Sequence, residues 1–165
     1  MLRVIPMNMT PNTNKVGKLL IVNDCARKRQ AIRSAIEDVA GKIIETEEGT
    51  AALLACLDHK PDWVMMDFAI HPMVGMVDLW KIKFCHPPTQ IIVVAQHDTK
   101  AFREAAWRAG ASGYVVENDL AQIREMIAPA SAAKTSFPAN AAAPDSSMLP
   151  DTLLRWCGAM FLFEE

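Results

Sequence analysis

Five short apolar runs alternate along the chain with segments of helical periodicity, and this alternation restricts the fold more than any other feature. The first run, KLLIVND at residues 18–24, is short and ends in an amide and an acid, as expected for a strand buried on both faces. Each parallel crossover needs a helix, so the alternation indicates helices on both faces of a sheet. We therefore predict an α/β fold with a doubly wound, five-stranded parallel sheet.

Turn-forming residues set the predicted boundaries within this pattern. The first helix is expected to run from Cys25 to a stop at Gly41. The third strand, DWVMMD, is followed by a predicted loop over residues 68–75, so that the third helix begins at Met76. The charged run RKR at residues 27–29 is interpreted as the solvated face of the first helix.

The regular pattern covers only part of the chain. It spans residues 17–128 and follows a loose leader over residues 1–16. Residues 129–147 are rich in Ala, Pro and Ser, which indicates a linker. Residues 148–165 place apolar side chains at helical spacing, and a helix of this length is not stable alone in water. Two interpretations stay open for it: packing on its own chain, or contact with a second copy in a homodimer.

Composition excludes several classes of function. The formal net charge of −2 gives no electrostatic footprint for nucleic acid, so we expect no direct DNA binding. No apolar run reaches the roughly 18 residues of a membrane span, and no secretory signal is evident, so we expect a cytoplasmic protein. The four cysteines form no CxxC pair, which argues against a zinc site or a disulfide framework.

Polar residues at the ends of the predicted strands mark the candidate site. In doubly wound sheets, ligands bind beyond the carboxyl ends of the strands. Carboxylates that converge there repel each other unless a cation joins them, and Mg²⁺ accepts one or two carboxylates together with water. The residues at these strand ends are Asn23, Asp24, Asp67, Ala95, Gln96 and Glu117.

Four motifs in order carry a resemblance to a known family. They are LLIVND, VMMDFAIHPMVG, IIVVAQHD and AGASGYVV, at the first, third, fourth and fifth predicted strands. With these motifs, about two-thirds of the chain resembles the receiver domain of two-component response regulators. The resemblance implies a flavodoxin-like (βα)5 receiver fold.

The resemblance also implies a role for each matching position. Asp67 would be the phosphoacceptor, whose carboxylate attacks phosphorus with the help of Mg²⁺. Asp24 and the backbone carbonyl of Ala69 would be metal ligands with Asp67, and Asn23 would act through water. Tyr114 would report phosphorylation to the surface formed by the fourth helix, the fifth strand and the fifth helix.

Three positions depart from the family pattern. Ala95 stands where the family has a Ser or Thr that hydrogen-bonds the phosphoryl group. Glu117 stands where the family has a Lys, and His71 precedes Pro72 in a loop where the family has its proline one place earlier. We expect weakened or altered Mg²⁺ binding and slow phosphorylation. A substitute cation is hypothesised among Lys100, Arg103 and His97, because all three are expected near the same rim.

Three functions follow from these observations. The first is a receiver in a phosphorelay, served by a sensor histidine kinase or phosphotransfer protein and acting on an unknown downstream protein. The second is a pseudo-receiver that signals by protein contacts without phosphorylation. The third is a phosphatase or phosphotransferase with an Asp nucleophile; Ala69 stands where such enzymes have a second Asp, so we expect a protein that is not an enzyme.

Overall fold

The computed structural model describes residues 15–67 and 72–128, with no side-chain description for residues 72–74. Strands and helices alternate five times over these ranges. The strands are β1 (Val16–Val22), β2 (Ala40–Thr46), β3 (Trp63–Asp67), β4 (Gln90–Ala95) and β5 (Gly113–Val116). The helices are α1 (Ala26–Ile36), α2 (Gly49–His59), α3 (Pro72–Cys85), α4 (Lys100–Arg108) and α5 (Ala121–Ile127).

The five strands form one parallel sheet in the order β2-β1-β3-β4-β5. This confirms the predicted doubly wound α/β architecture. The winding direction of the chain reverses between β1 and β3. In such folds, ligands bind at this point, in the crevice beyond the carboxyl ends of the two strands. The predicted linker and C-terminal segment lie outside the described residues, as does all but the last part of the predicted leader.

Side chains on each strand alternate between two separate hydrophobic cores. One core contains Leu20, Val64 and Val93 from the strands and packs under α2, α3 and α4. The other contains Ile21, Met65 and Val115 and packs under α1 and α5. Because successive strand residues point to opposite faces, the parity of a position predicts which helices its side chain meets. This parity also assigns the strand-end residues to one face or the other.

Two predicted boundaries are wrong. α1 ends at Ile36 rather than near Gly41, which belongs to β2. A Cβ atom at Gly41 would lie 2.8 Å from the carbonyl oxygens of both Val16 and Gly17, so the glycine permits close approach of β1 rather than ending a helix. α3 begins at Pro72, four residues before the predicted start. Proline suits the first turn of a helix because its missing N–H would have no partner there.

None of the helices in the described ranges has the length and apolar character needed to cross a membrane.

Candidate functional site

Three polar side chains meet at the carboxyl end of the sheet, on the face covered by α1 and α5. Asp67 is the last residue of β3, Asn23 directly follows β1, and Glu117 directly follows β5. Each lies two positions after a residue of the core under α1 and α5. Strand alternation therefore points all three toward the same face. The convergence predicted for these strand ends is seen for this subset.

Asn23 orients the Asp67 carboxylate. Its Nδ2 donates a hydrogen bond to Asp67 Oδ2 at 2.8 Å, while its Oδ1 accepts one from the backbone N–H of Cys25 at 2.8 Å. The Asn23 side chain is buried, and only 7% of the Asp67 side chain is exposed. Both ends of the amide are thus used, which fixes its direction. Its predicted action on a metal through water stays a prediction.

A lysine from the first helix supplies the positive charge of the site. Lys28 Nζ lies 3.3 Å from Asp67 Oδ2 and also donates a closer hydrogen bond to Glu117 Oε1. Burial lowers the pKa of Lys28, but the hydrogen bond that Lys28 donates to Glu117 and the attraction of both carboxylates outweigh this effect, and the net pKa is raised. The ammonium is therefore the charged link between two acids on different strands.

The sequence did not predict this role for Lys28. The interpretation of residues 27–29 as a solvated face is wrong for two of them, since Lys28 and Arg29 are both only partly exposed. Arg29 Nη1 donates to the backbone oxygen of Asn23 at 2.8 Å and so holds the turn after β1. Strand parity directs Asp67 and Glu117 toward α1, but it does not by itself identify Lys28 as their partner.

Two of the three cations named in the substitute-cation hypothesis pair with other acids. Lys100 and Arg103 belong to α4, which covers the opposite face. Arg103 forms a two-pronged ion pair with Asp98, which raises the pKa of Arg103 and lowers that of Asp98. Lys100 is 91% exposed and pairs with Glu104 at 3.8 Å. The ammonium beside Asp67 is instead that of Lys28 on α1, and a role for His97 stays a prediction.

Tyr114 and Ala95 lie on the other face of the sheet. Tyr114 is 3% exposed, and its hydroxyl donates to the backbone oxygen of His97 at 2.7 Å. The Arg103 guanidinium lies 4.8 Å from the centre of the ring. Burial first, and then the charge of Asp98, raise the pKa of Tyr114 against the opposing effect of Arg103. Ala95 belongs to the same core, while Gln96 is exposed.

The carboxylate oxygens near Asp67 are of the chemical type that binds a divalent cation. Asp24 is exposed one residue beyond Asn23, and Asp67 ends the neighbouring strand. Two carboxylates are hard oxygen donors, and Mg²⁺ binds to one or two of them while it keeps several waters. Ala69 lies outside the described residues. Within those residues, no group of three or more His, Cys, Asp or Glu side chains is placed to hold a metal. Among the described residues, a metal here would depend on Asp24, Asp67 and water.

Comparison with known proteins identifies a family match. The family model described as "Response regulator receiver domain" matches residues 19–128. The oxygen regulatory protein NreC of Staphylococcus haemolyticus is 28% identical over 106 residues, which are 61% of this chain and 48% of that protein. The response regulator GacA of Pseudomonas syringae is 27% identical over 112 residues, 67% of this chain and 51% of that protein. The chain thus spans about half the length of these curated relatives.

Solved structures share the fold. The chemotaxis protein CheY4 of Vibrio cholerae superposes with a TM-score of 0.60 at 18% identity, covering 68% of this chain and 98% of that one. The signal receiver domain of the response regulator NarL from Mycobacterium tuberculosis gives 0.59 at 21% identity, covering 67% and 94%. These similarities support the flavodoxin-like receiver fold that the sequence motifs implied.

Proposed function

Because this chain belongs to the response regulator receiver domain family, we propose that it is a receiver in two-component signal transduction and accepts a phosphoryl group on Asp67. The observation that carries the proposal is the position of this carboxylate. Asp67 ends the central strand β3, and its Oδ2 accepts hydrogen bonds from Asn23 and Lys28. Two donors on one oxygen hold the orientation of this carboxylate, which supports a role for it as a nucleophile.

The proposed reaction needs little from the protein beyond position and charge. One Asp67 oxygen would form a bond to phosphorus as the bond to the nitrogen of a phosphohistidine, or to the leaving group of a small phosphodonor, breaks. The leaving group departs with the electron pair of that bond. Mg²⁺, when bound by Asp24 and Asp67, would neutralise charge on the phosphoryl oxygens. Lys28 places a further positive charge beside the same carboxylate.

A second candidate is a pseudo-receiver that signals by protein contacts without phosphorylation. The observation that favours it is the pairing of Lys28 with Glu117, which leaves the site with an internal ion network. Ala95 also offers no hydroxyl to a phosphoryl oxygen. In this function Asp67, Lys28 and Glu117 would act as a fixed structural unit at the end of the sheet.

The proposal assigns an input role to residues 19–128. A sensor histidine kinase or phosphotransfer protein would be the phosphodonor, and a further protein would receive the output. We propose signalling rather than enzymatic catalysis, and no direct DNA contact by this part of the chain, because the net charge of the whole chain is −2. The names of the relatives include transcriptional regulators, and this chain covers only about half of each.

Intact-mass analysis after incubation with Mg²⁺ and acetyl phosphate tests the proposal. We expect the wild type to gain one phosphoryl group slowly and Asp67→Asn to gain none. Asp58→Asn, at an exposed acid on α2, is the matched control and should behave like the wild type. No adduct on the wild type, under conditions in which a competent receiver is modified, would favour the pseudo-receiver. An adduct that persists in Asp67→Asn would refute the site.

A further inference from the structure

We propose that Lys28 is the resident cation of the Asp67 site and that, held there by Glu117, it limits how tightly a divalent metal ion binds. The inference deepens the proposed function and rests on it for the location of the metal. It assigns roles to two residues, one on the first helix and one after the last strand.

The geometry around the ammonium supports this assignment. Lys28 contacts two carboxylates that come from different strands, and the closer contact is to Glu117 rather than to Asp67. The Lys28 and Glu117 side chains are 27% and 26% exposed, and that of Asp67 is 7% exposed. These partly buried charges are screened less by water and salt than charges on the surface. Lys28 is therefore placed to influence any charged species at Asp67.

Competition for one oxygen explains how Lys28 would act. Asp67 Oδ2 already accepts hydrogen bonds from Lys28 Nζ and Asn23 Nδ2. A metal ion that binds this carboxylate must approach a unit positive charge or displace it, and either event costs free energy. Glu117 opposes this effect, because it attracts the ammonium and adds a negative charge of its own. The acid at position 117 thus balances the lysine at position 28.

Two opposite consequences follow for metal affinity. Removal of the Lys28 charge should strengthen the binding of a divalent ion, because the ion then meets the acids alone. Removal of the Glu117 charge should weaken it, because Lys28 then has only Asp67 as its acidic partner in this network. Removal of both charges should give an affinity near that of the wild type. An account in which Lys28 only supports the fold predicts no such pattern of signs.

Isothermal titration calorimetry with MnCl₂ on the full chain measures these effects. We expect Lys28→Met to lower the Mn²⁺ dissociation constant by about tenfold or more, as expected for loss of a unit charge near the ion. Lys28→Arg should keep the wild-type affinity within about threefold, and Glu117→Gln should weaken binding by about threefold to tenfold. Lys100→Met is the matched control, because it removes a lysine charge from an exposed site on α4 and should change the affinity less than twofold.

Folding of each variant is checked by thermal unfolding, and Lys28→Arg keeps the test valid if Lys28→Met is poorly folded. In that case Lys28→Arg should bind Mn²⁺ like the wild type and Glu117→Gln should still bind it more weakly. Equal dissociation constants for the wild type, Lys28→Met and Glu117→Gln would overturn the inference. So would the absence of Mn²⁺ binding in Lys28→Met.

The outcome separates this inference from the proposed function. Tighter Mn²⁺ binding in Lys28→Met without a phosphoryl adduct on the wild type would support the role of Lys28 and refute phosphorylation. An adduct on Asp67 together with unchanged Mn²⁺ affinity in Lys28→Met would support phosphorylation and refute the role of Lys28.

Discussion

The two faces of the sheet differ in what lies above their apolar cores. On the face covered by α1 and α5, the core ends in a network of charged and polar groups formed by Asn23, Lys28, Asp67 and Glu117. On the face covered by α2, α3 and α4, the core ends in Ala95 and the buried side chain of Tyr114, whose hydroxyl donates a hydrogen bond to the backbone oxygen of His97. At its end of the sheet, the first face thus carries buried or half-buried ion pairs, and the second carries packed, largely apolar side chains.

This difference shows why the departures from the family pattern are not equivalent. Glu117 lies on the charged face, where Lys28 pairs with it, so its negative charge is compensated. Ala95 lies on the packed face, where no described contact replaces the missing hydroxyl. We therefore expect the charge of the site to be preserved, and the coupling between Asp67 and Tyr114 to be weak.

The largest expected effect tests whether the two cores are equal in packing. Leu20 and Ile21 are neighbours on β1, are both fully buried, and point to opposite faces. Replacement of either by Ala should lower the free energy of unfolding by about 2–5 kcal/mol, because each leaves a cavity in a packed core. Urea denaturation measures both. A loss below about 1 kcal/mol at one site would show that the cores differ in packing as well as in chemistry.

A second prediction concerns pH and the packed face. Burial, and secondarily the charge of Cys85, raise the pKa of the Cys56 thiol from 9.0 to about 12. Above pH 9 the unfolded thiol loses its proton while the folded thiol keeps it, so stability falls as pH rises from about 9 to 12. Between pH 8 and pH 10 the wild type should lose about 1 kcal/mol more than Cys56→Ala.

Denaturation at the two pH values measures this difference. Cys25→Ala removes an exposed thiol and should retain the pH dependence of the wild type. Equal pH dependence in the wild type and Cys56→Ala would contradict the burial of this thiol.

The smallest substitution effect is expected at Tyr114. Tyr114→Phe removes the hydrogen bond to the backbone oxygen of His97 and should lower the free energy of unfolding by about 0.5–1.5 kcal/mol. Because the ring lies on the face opposite Lys28, the Mn²⁺ dissociation constant should stay within about twofold. A large change in Mn²⁺ affinity would show that the two faces are coupled, contrary to the comparison above.

The fold and the convergence of Asn23, Asp67 and Glu117 could be predicted from sequence, because apolar runs and strand-end polarity are local signals. Lys28 could not be found in the same way. Its role depends on how α1 lies over the sheet and on the reach of a long side chain. A local sequence pattern predicts neither of these. The prediction for Gly41 is wrong for a related reason: its lack of a side chain permits the close approach of the neighbouring strand β1 and does not end a helix.

The central claim, that Lys28 and Glu117 act as one unit beside Asp67, is tested most directly by a double-mutant cycle. Unfolding free energies are measured by urea denaturation for the wild type, Lys28→Met, Glu117→Gln and the double variant. For a partly exposed ion pair we expect a favourable coupling energy of about 0.5–1 kcal/mol between the two positions. Additive effects, with a coupling energy within about 0.3 kcal/mol of zero, would contradict the claim.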